Sequence, residues 1–311
     1  MVNSTIRRKR RTNLRRFIPL YIMMIPGFAY LIINNYLPMF GLSIAFKDIN
    51  YAKGIWGSDW IGLKNFEYLF KTTDAYIITR NTLLYNAAFI VLGLSIAIII
   101  AILLNEIRSK VARGFYQSVI LLPFLISIIL VSYLVYALLS VDSGFMNRTI
   151  LPMFGLDPIS WYVEPKYWPF ILTIVHIWKG AGYSCIIFLA AIISIDREYY
   201  EAAELDGASK WMQIRKITIP LITPIITMLT LLGIGRIFYS DFGLFYQVPM
   251  NSGALYETTN VIDTYVFRGL MQLGDIGMSA AAGFYQSLVG FVLVLVSNYI
   301  VRKFDKDNAL F

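Results

Sequence analysis

Six long apolar stretches constrain this chain more than any other feature of its sequence. They cover residues 17–37, 82–104, 116–139, 168–195, 219–239 and 280–301. A helix needs about 20 apolar residues to cross the roughly 30 Å hydrocarbon core of a bilayer. Lipid offers no hydrogen-bond partner to an open backbone, so each stretch is predicted to be helical. The sequence therefore predicts an all-α integral membrane protein with six transmembrane helices.

The composition supports this fold class and argues against several kinds of soluble protein. Hydrophobic residues make up 58% of the 311 residues and charged residues only 15%, whereas a soluble domain averages about a quarter charged residues. The net charge is +8, but the cations flank apolar runs, which favours contact with membrane lipid over binding of nucleic acid. The single cysteine, Cys185, and the single histidine, His176, lie in apolar runs. We therefore expect no disulfide within the chain, no metal site and no catalytic Cys/His pair.

The Lys and Arg residues predict how the helices are oriented. If the N-terminus is cytoplasmic, seventeen of these cations lie inside and eight outside, with Lys179 and Arg236 within spans. Because positive residues are retained on the cytoplasmic side, we predict a basic cytoplasmic N-terminus over 1–16, a transmembrane domain over 17–302 and a cytoplasmic tail over 303–311. The first apolar stretch is longer than the apolar region of a signal peptide and lacks a clear cleavage site, so we expect it to remain as a span.

The densest charge pattern lies between the fourth and fifth spans, over residues 196–218, on the side predicted to be cytoplasmic. Its acids come first and its cations later, an order that suits a helix dipole. Gly207 is expected to separate two short helices, and Asp206 and Lys210 are expected to form an i,i+4 pair. A linker lying on lipid headgroups is the alternative interpretation, but anionic lipid would repel the acidic first half. The small residues of the segment instead favour the close approach of another protein.

The same segment resembles a motif of ABC importer permeases. The sequence EAAELDGASKWMQIRKITIP fits the EAA pattern, in which E-A-A is followed by three residues, a glycine, nine residues and I-x-L-P. The residues in register are Glu201, Ala202, Ala203, Gly207, Ile217 and Pro220. Ile219 stands where the family usually has leucine. The resemblance implies that residues 196–218 are a coupling-helix pair that docks in a groove of a cytoplasmic ATPase.

Other segments extend the resemblance over nearly the whole chain. The sequence IWKGAGYSCIIFLAAIISID, before the motif, is similar to the sugar-importer branch. The segments YLPMFGLSIAFKDINYAKGIWGSDWIGLKNFEYLF and NVIDTYVFRGL resemble permeases of the maltose-type class, in particular its LplB-like group for complex oligosaccharides. The resemblance implies a permease of a bacterial plasma membrane that forms a heterodimer with a second, related permease. A homodimer is the alternative arrangement.

Features that the sequence lacks indicate further partners. It contains no G-x-x-x-x-G-K-[ST] phosphate loop, so we expect ATP and Mg²⁺ to be bound by a separate ATPase dimer and this chain to carry no cofactor. The predicted outer segments are too short for a domain that captures solute, so we expect an extracellular solute-binding protein to deliver the oligosaccharide. Candidate contacts with that protein lie over residues 60–70 and 241–276.

Polar and aromatic residues within the spans are the candidate lining of a substrate path. Sugars need hydrogen-bond partners for their hydroxyl groups and flat aromatic faces for their C–H groups, and ionisable groups within spans usually face protein or water. The candidates are Asn86, Trp178, Lys179, Tyr183, Arg236, Tyr239, Asp241, Tyr285 and Gln286. Packing is the competing interpretation for Trp178 and Tyr239, and pairing with acids of a partner chain is the one for Lys179 and Arg236. His176 is expected to be a packed core residue.

We therefore interpret the chain as the permease subunit of an ATP-driven, binding-protein-dependent oligosaccharide importer, with no catalytic residues of its own. A secondary transporter is one rival, but it would need buried acids for ion coupling or inverted repeats. A membrane-embedded glycosyl-transfer enzyme is the other, with Glu201, Glu204 and Asp206 as its carboxylate cluster. The spacing of these acids fits the EAA pattern better, and no histidine or further acid converges on them.

Overall fold

The computed structural model describes residues 17–304, and almost all of its regular structure is helical. The main helices are α1 (Ile18–Leu31), α2 (Lys64–Lys71), α3 (Asp74–Asn105), α4 (Lys110–Leu125), α5 (Ile128–Leu139), α6 (Trp168–Ile193), α7 (Arg197–Leu205), α8 (Lys210–Gln213), α9 (Ile219–Ile234), α10 (Phe242–Gln247), α11 (Ile262–Met271) and α12 (Ile276–Phe304). The predicted N-terminal segment 1–16 and residues 305–311 of the predicted tail lie outside the described residues.

Shorter elements connect or extend these helices. Strands β1 (Lys47–Asp48) and β2 (Asp59–Trp60) form a small antiparallel hairpin. Single-turn helices cover Leu37–Met39, Gly54–Gly57, Leu151–Met153 and Tyr256–Thr259, and 3-10 helices cover Phe40–Phe46, Trp161–Val163, Pro165–Tyr167 and Gly253–Leu255. Stretches of π-helix cover Ile32–Tyr36, Met146–Ile150 and Ile214–Thr218. Two of these π-helical stretches make longer rods, since they join α1 to the helices that follow it and α8 to α9.

The predicted all-α membrane architecture is confirmed over the described residues. Five helical runs are long and apolar enough to cross a membrane, and a bent helix pair makes a sixth crossing if it is counted as one span. The five are Ile18–Phe46, Asp74–Asn105, Pro165–Ile193, Lys210–Ile234 and Ile276–Lys303. The first run differs from the others because the described part of the chain buries none of its residues from Ile18 to Phe40.

The third predicted span, 116–139, differs most from the sequence expectation. Instead of one helix, the structure has α4 and α5, which meet at an angle of 94°. Ile126 and Ser127 adopt extended backbone (ψ 132° and 141°) and turn the chain between the two helices. Pro123 lies in the last turn of α4, where it supplies no N–H group. A continuous apolar run therefore hides a break near the middle of the predicted span.

The fifth predicted span, 219–239, ends earlier than expected. Helix α9 stops at Ile234, and successive turns follow, in which the Arg236 N–H donates to Gly233, that of Ile237 to Ile234 and that of Tyr239 to Arg236. The turns are stabilised from neighbouring spans by amide side chains of α3 and α12. Residues 235–239 therefore carry their side chains on non-helical backbone.

Helices α3 and α6 form the centre of the bundle and pack against each other along much of their length. Ala97 and Ala101 of α3 are fully buried beside Phe188 and Leu189 of α6. In lipid, helices associate mainly through close packing because the surroundings are as apolar as the side chains, and small residues permit that approach. Two further clusters of buried side chains lie toward the opposite end of the bundle from α7 and α8, one around Trp168 and Phe245 and one around Ile78 and Phe238.

That opposite end is ordered by a buried arginine. Arg268 of α11 is 8% exposed and donates to the side chains of Asn251, Asn260 and Thr264. Its guanidinium lies 4.1 Å from the ring centroid of Tyr256, a cation–π contact. Burial lowers the pKa of the Arg268 guanidinium. The loops between α9 and α12 are thus held by neutral acceptors and an aromatic ring rather than by a carboxylate.

Gly182 on α6 provides a test of the packing of α4. A Cβ atom there would overlap the backbone carbonyl of Ile120, whereas one at Gly180 would meet nothing within 4 Å. We expect Gly182→Ala to lower the free energy of unfolding by about 1–3 kcal/mol, as overpacking does elsewhere. The measurement is the unfolding temperature of the purified chain in detergent, with Gly180→Ala as the matched control. Equal unfolding temperatures for the two variants would contradict the close α4–α6 contact.

Candidate functional site

Helix α7 begins and ends with recognisable capping groups. The Asp196 carboxylate accepts a hydrogen bond from the Glu198 N–H (3.1 Å) at its start. At its end, the Ala208 N–H donates to the Ala203 carbonyl (2.9 Å) and the Gly207 N–H to the Glu204 carbonyl (3.1 Å). This is a Schellman motif, which needs a left-handed residue that glycine adopts readily. Gly207 has φ +77°, so the predicted break between two short helices is confirmed.

Helix α8 continues the segment after this turn. The Ser209 hydroxyl caps it by accepting from the Met212 N–H (3.3 Å). Lys210 forms a salt bridge with Glu204 (2.8 Å), so the predicted pair between Lys210 and Asp206 is wrong. The Gly207 turn interrupts the helix, and residues 206 and 210 therefore lose the helical i,i+4 relation. The hydrogen bond from Lys210 holds the pKa of Glu204 below its ordinary value.

Large apolar side chains on these two helices are left uncovered by the described residues. Leu205 is 90% exposed, Trp211 71% and Met212 53%. Among the residues of the EAA pattern, Glu201, Ala202, Gly207 and Pro220 are exposed, and Ala203 and Ile217 are half-buried. Together these features form what we call the coupling surface, defined by residues 201–212. Such an apolar patch on a charged segment is typical of a protein interface.

A polar pocket of about 560 Å³ lies behind the coupling surface. It separates α7 and α8 from the turn between α3 and α4. The charged residues of its lining are Glu106, Arg108, Arg113, Arg197, Glu201, Glu204 and Lys210. Arg113 donates to the carbonyls of Asn105 and Ile107, which fixes that turn, and the hydroxyl groups of Tyr200 and Thr218 lie 2.9 Å apart across the start of α9.

A second cavity of about 320 Å³ lies between α3, α6 and the end of α9. Four of the nine predicted path residues line it, namely Asn86, Arg236, Tyr239 and Asp241. Most of the remaining lining is apolar or glycine, including Gly93, Gly180 and Gly233. A mostly apolar cavity with a few polar groups is typical of a small-molecule site.

The polar residues of this cavity differ in whether they already have hydrogen-bond or ion-pair partners in the described residues. Asn86 donates to the carbonyls of Thr82 (2.9 Å) and Ile237 (3.0 Å), and Asp241 caps α10 by accepting from the Leu244 N–H (3.1 Å). Over residues 17–304, Arg236 forms no salt bridge within 4.0 Å. Its guanidinium is therefore the cationic group of the cavity that has no carboxylate partner in the described part of the chain.

His176 and Phe89 are cavity residues that the sequence did not single out as path residues. Their rings stack with centroids 3.7 Å apart and an interplanar angle of 6°, and both line the cavity. His176 was expected to be packed in the core, and the stack agrees with that expectation while placing the ring at the cavity wall. In the sequence, His176 lies one turn before Gly180 and therefore on the same face of α6, and this spacing is the signal that could have identified it as a cavity residue.

Three other predicted path residues lie on α6 but outside the cavity. Trp178 and Tyr183 are exposed. Tyr183 stacks on Phe124 of α4, with centroids 4.8 Å apart. The Lys179 ammonium donates to the carbonyls of Pro123 (3.4 Å), Phe124 (3.0 Å) and Ile126 (2.6 Å) at the end of α4. Its partner in this chain is therefore the backbone.

The last two predicted path residues lie on α12 and form hydrogen bonds with other residues of the chain. The hydroxyl groups of Tyr285 and Thr79 lie 3.1 Å apart. Gln286 is 6% exposed and donates to the Phe238 carbonyl (2.7 Å) and to the Asp263 carboxylate (3.1 Å). Burial raises the pKa of Asp263 from its ordinary value. Neither Tyr285 nor Gln286 lines the cavity of about 320 Å³.

Comparisons with known proteins show the family of the chain. The family model described as "Binding-protein-dependent transport system inner membrane component" matches residues 90–306. The chain belongs to this family. It is therefore a multi-pass membrane subunit of a transport system and not an enzyme, which decides against both rival interpretations. Over the described residues, no cluster of three or more His, Cys, Asp or Glu side chains suits a metal ion.

Curated relatives of this permease are carbohydrate transport proteins. It is 34% identical to the polygalacturonan/rhamnogalacturonan transport system permease protein YteP of Bacillus subtilis strain 168, over 93% of this chain and 89% of YteP. It is also 34% identical to protein LplB of the same organism, over 93% of this chain and 90% of LplB. The predicted resemblance to sugar-importer permeases of the LplB-like group is confirmed.

Solved structures share the fold. The permease superposes with a TM-score of 0.86 and 34% identity on a chain of a bacterial ABC transporter involved in the import of the acidic polysaccharide alginate, covering 94% of this chain and 98% of that one. A second match, with a TM-score of 0.85 and 33% identity, is to a chain of a bacterial alginate ABC transporter in complex with an alginate pentasaccharide-bound periplasmic protein, covering 94% of this chain and 97% of that one.

Replacing Gln286 by leucine tests whether it has a structural role. The change leaves the Phe238 carbonyl and the Asp263 carboxylate without this donor, and an unpaired buried polar group costs about 1–3 kcal/mol. We expect Gln286→Leu to lower the unfolding temperature in detergent, while Ser287→Ala, whose hydroxyl contacts only the Gly283 carbonyl of its own helix, leaves it unchanged. An unchanged unfolding temperature with altered substrate affinity would instead assign Gln286 to the path.

Proposed function

We propose that this permease forms half of the translocation path of an ATP-driven importer of oligosaccharides. The single observation that carries the proposal is the coupling surface, where Leu205, Trp211 and Met212 are exposed on a segment with the EAA pattern. Exposed apolar side chains of this size need a partner. A groove on a separate ATPase supplies that partner and binds the ATP and Mg²⁺. The names of relatives that transport polygalacturonan, rhamnogalacturonan or arabinooligosaccharides support a carbohydrate as the cargo.

Uncovered surfaces of the described residues support a second permease. Helix α1 buries no side chain against the described residues, and Trp178 and Tyr183 are exposed on the central helix α6. A second, related subunit covers part of this surface in our proposal, so that Trp178 and Tyr183 border a path between the two chains. We propose a heterodimer, with both termini and the coupling surface in the cytoplasm. An extracellular solute-binding protein delivers the cargo to the opposite end, over residues 60–70 and 241–276.

The cavity between α3, α6 and α9 supports an acidic oligosaccharide as the cargo. Arg236 lines it without a carboxylate partner in the described residues, and Tyr239 and the stacked His176–Phe89 pair supply flat rings. A guanidinium binds a uronate carboxylate through two parallel hydrogen bonds. The solved relatives that import alginate are consistent with this choice. The Asn86 amide oxygen and the Asp241 carboxylate provide acceptors for sugar hydroxyl groups in the same cavity.

The proposed cycle is a shift between two states that is driven by ligands bound to other subunits. ATP binding draws the two ATPase subunits together and moves the coupling surfaces with them, so the path opens outward to the solute-binding protein. Hydrolysis and phosphate release return the path to its inward-facing state. Each ligand shifts the equilibrium only by its difference in affinity for the two states. The permease contributes contacts and a path, and no covalent chemistry.

Two variants of the coupling surface test the contact with the ATPase. Gly207→Asp adds charge at a position whose left-handed conformation aspartate tolerates better than most residues, and Glu201→Arg reverses an exposed charge. We expect both to insert and assemble but to abolish substrate-stimulated ATPase activity in reconstituted importer. Asp157→Arg, an exposed acid far from α7 in sequence, is the matched control. Normal stimulation in both coupling variants would overturn the proposed docking.

Arg236→Gln tests the proposed class of cargo. Loss of a charge-assisted contact should raise the concentration of a uronate oligosaccharide needed for half-maximal uptake about tenfold, since such contacts contribute roughly 1.5–3 kcal/mol. Uptake of a neutral oligosaccharide of equal length should change little. Arg148→Gln, at an exposed arginine of the segment between α5 and α6, is the control. An equal effect on acidic and neutral cargo would count against a uronate site at Arg236.

A further inference from the structure

Lys179 raises a separate question, because it places a cation within an apolar helix without a carboxylate. Over residues 17–304, no acid lies within 4.0 Å of its ammonium group, and the three backbone carbonyls at the end of α4 are its partners. An intramembrane cation is costly unless it is compensated. Three donors of an ammonium match three acceptors here, so its hydrogen-bonding capacity is used by a single helix end.

The end of α4 is a place where such a cation is effective. The last carbonyls of a helix have no intrahelical partner and carry the negative end of the helix dipole. Ile126 and Ser127 are extended, so the chain turns away by 94° and the following helix cannot pair with those carbonyls. The ammonium also lies 5.9 Å from the centroid of the Phe124 ring. The Pro123 carbonyl also accepts from the Ile126 N–H (3.2 Å), so Lys179 supplies from a neighbouring span the pairing of the Phe124 and Ile126 carbonyls above all.

A second contact fixes α4 against α6 one turn further along. Gly182 lies so close to the Ile120 backbone that a Cβ atom would overlap its carbonyl. The Tyr183 ring then stacks on Phe124 at an interplanar angle of 15°. Three residues on one side of α6, at positions 179, 182 and 183, thus contact the final turns of α4.

Both helices lead directly to the coupling surface at their other ends. Residues 194–196 alone separate α6 from α7, and α4 begins at Lys110, just after the turn that lines the pocket behind α7 and α8. A displacement of α7 therefore acts on α6 through a short connection. Whether α4 follows depends on how firmly its far end is attached to α6.

We propose that Lys179 is a positioning residue that ties the broken end of α4 to α6, so that movement of the coupling surface reaches the break between α4 and α5. This inference rests on the proposed function, because it concerns how that function is transmitted. It assigns to Lys179 a role in coupling in place of direct contact with the cargo. Substrate affinity then depends little on Lys179, and the yield of transport per ATP depends on it strongly.

The experiment measures the attachment and the coupling separately in the assembled importer in nanodiscs. Spin labels at Leu122→Cys on α4 and Ile174→Cys on α6, two exposed positions, report the distance between the helices after Cys185→Ala removes the native cysteine. We expect Lys179→Met to broaden and lengthen this distance distribution. We also expect it to lower the ratio of transport to ATP hydrolysis about tenfold, within the usual range of coupling between sites. Lys179→Arg should restore both quantities, because a guanidinium also donates to several carbonyls.

Controls separate this inference from the proposed function. Lys166→Met, at an exposed lysine just before α6, should change neither the distance nor the ratio. If the unsubstituted importer shows no substrate-stimulated ATPase activity, the proposed function fails, while the distance measurement still tests the attachment. An unchanged distance in Lys179→Met, or a changed distance with an unchanged ratio, overturns the inference. If Lys179→Met does not assemble, Lys179→Gln, whose shorter side chain reaches fewer of the three carbonyls, must lengthen the same distance, and an unchanged distance there overturns the inference equally.

Discussion

The need to pair every backbone group away from water governs this structure. Uninterrupted helices meet the need by themselves, but over residues 17–304 two of the predicted apolar spans contain or end in non-helical backbone. At the α4–α5 break the Lys179 ammonium donates to the Phe124 and Ile126 carbonyls, and at the turns after α9 the amides of Asn86 and Gln286 donate to those of Ile237 and Phe238. These three polar side chains of the spans thus donate hydrogen bonds to backbone carbonyls at the places where helices stop. The turns after α9 border the cavity of about 320 Å³, and of these three side chains Asn86 alone lines it.

The sequence predicts the number and type of the spans well, because the length of an apolar run is set by the bilayer and not by packing. It does not predict the break over 126–127, since the run is apolar on both sides and its proline lies in the last turn of α4 rather than at the bend. The end of α9 at Ile234 is missed for the same reason. Tertiary hydrogen bonds, which hold both irregular segments, leave no trace in hydropathy.

The candidate sites also differ in whether local sequence rules or tertiary contacts determine them. Residues 196–218 follow local rules of capping and glycine conformation, so the two helices and the Gly207 turn were predictable from sequence, and only the partner of Lys210 was not. The path candidates were chosen because they are polar within apolar runs. That criterion finds Arg236 and Asp241 at the cavity, but it finds Lys179 and Gln286 equally, since a side chain that pairs a backbone carbonyl and one that awaits a ligand look alike in sequence.

The first helical run has a mechanical consequence. It is continuous from Ile18 to Phe46, yet within this chain only its last residues are covered, beside a cluster of aromatic rings formed by Phe46, Phe66 and Phe284. A helical run that is held at one end tilts about that contact, which here is the aromatic cluster. Over a length of about 40 Å, a tilt of about 10° at the pivot displaces Ile18 by about 7 Å. The tilt angle of the run is thus set by the molecule that lies against its exposed sides. A small change in this angle gives a large displacement at Ile18, the end that follows the basic residues in the sequence.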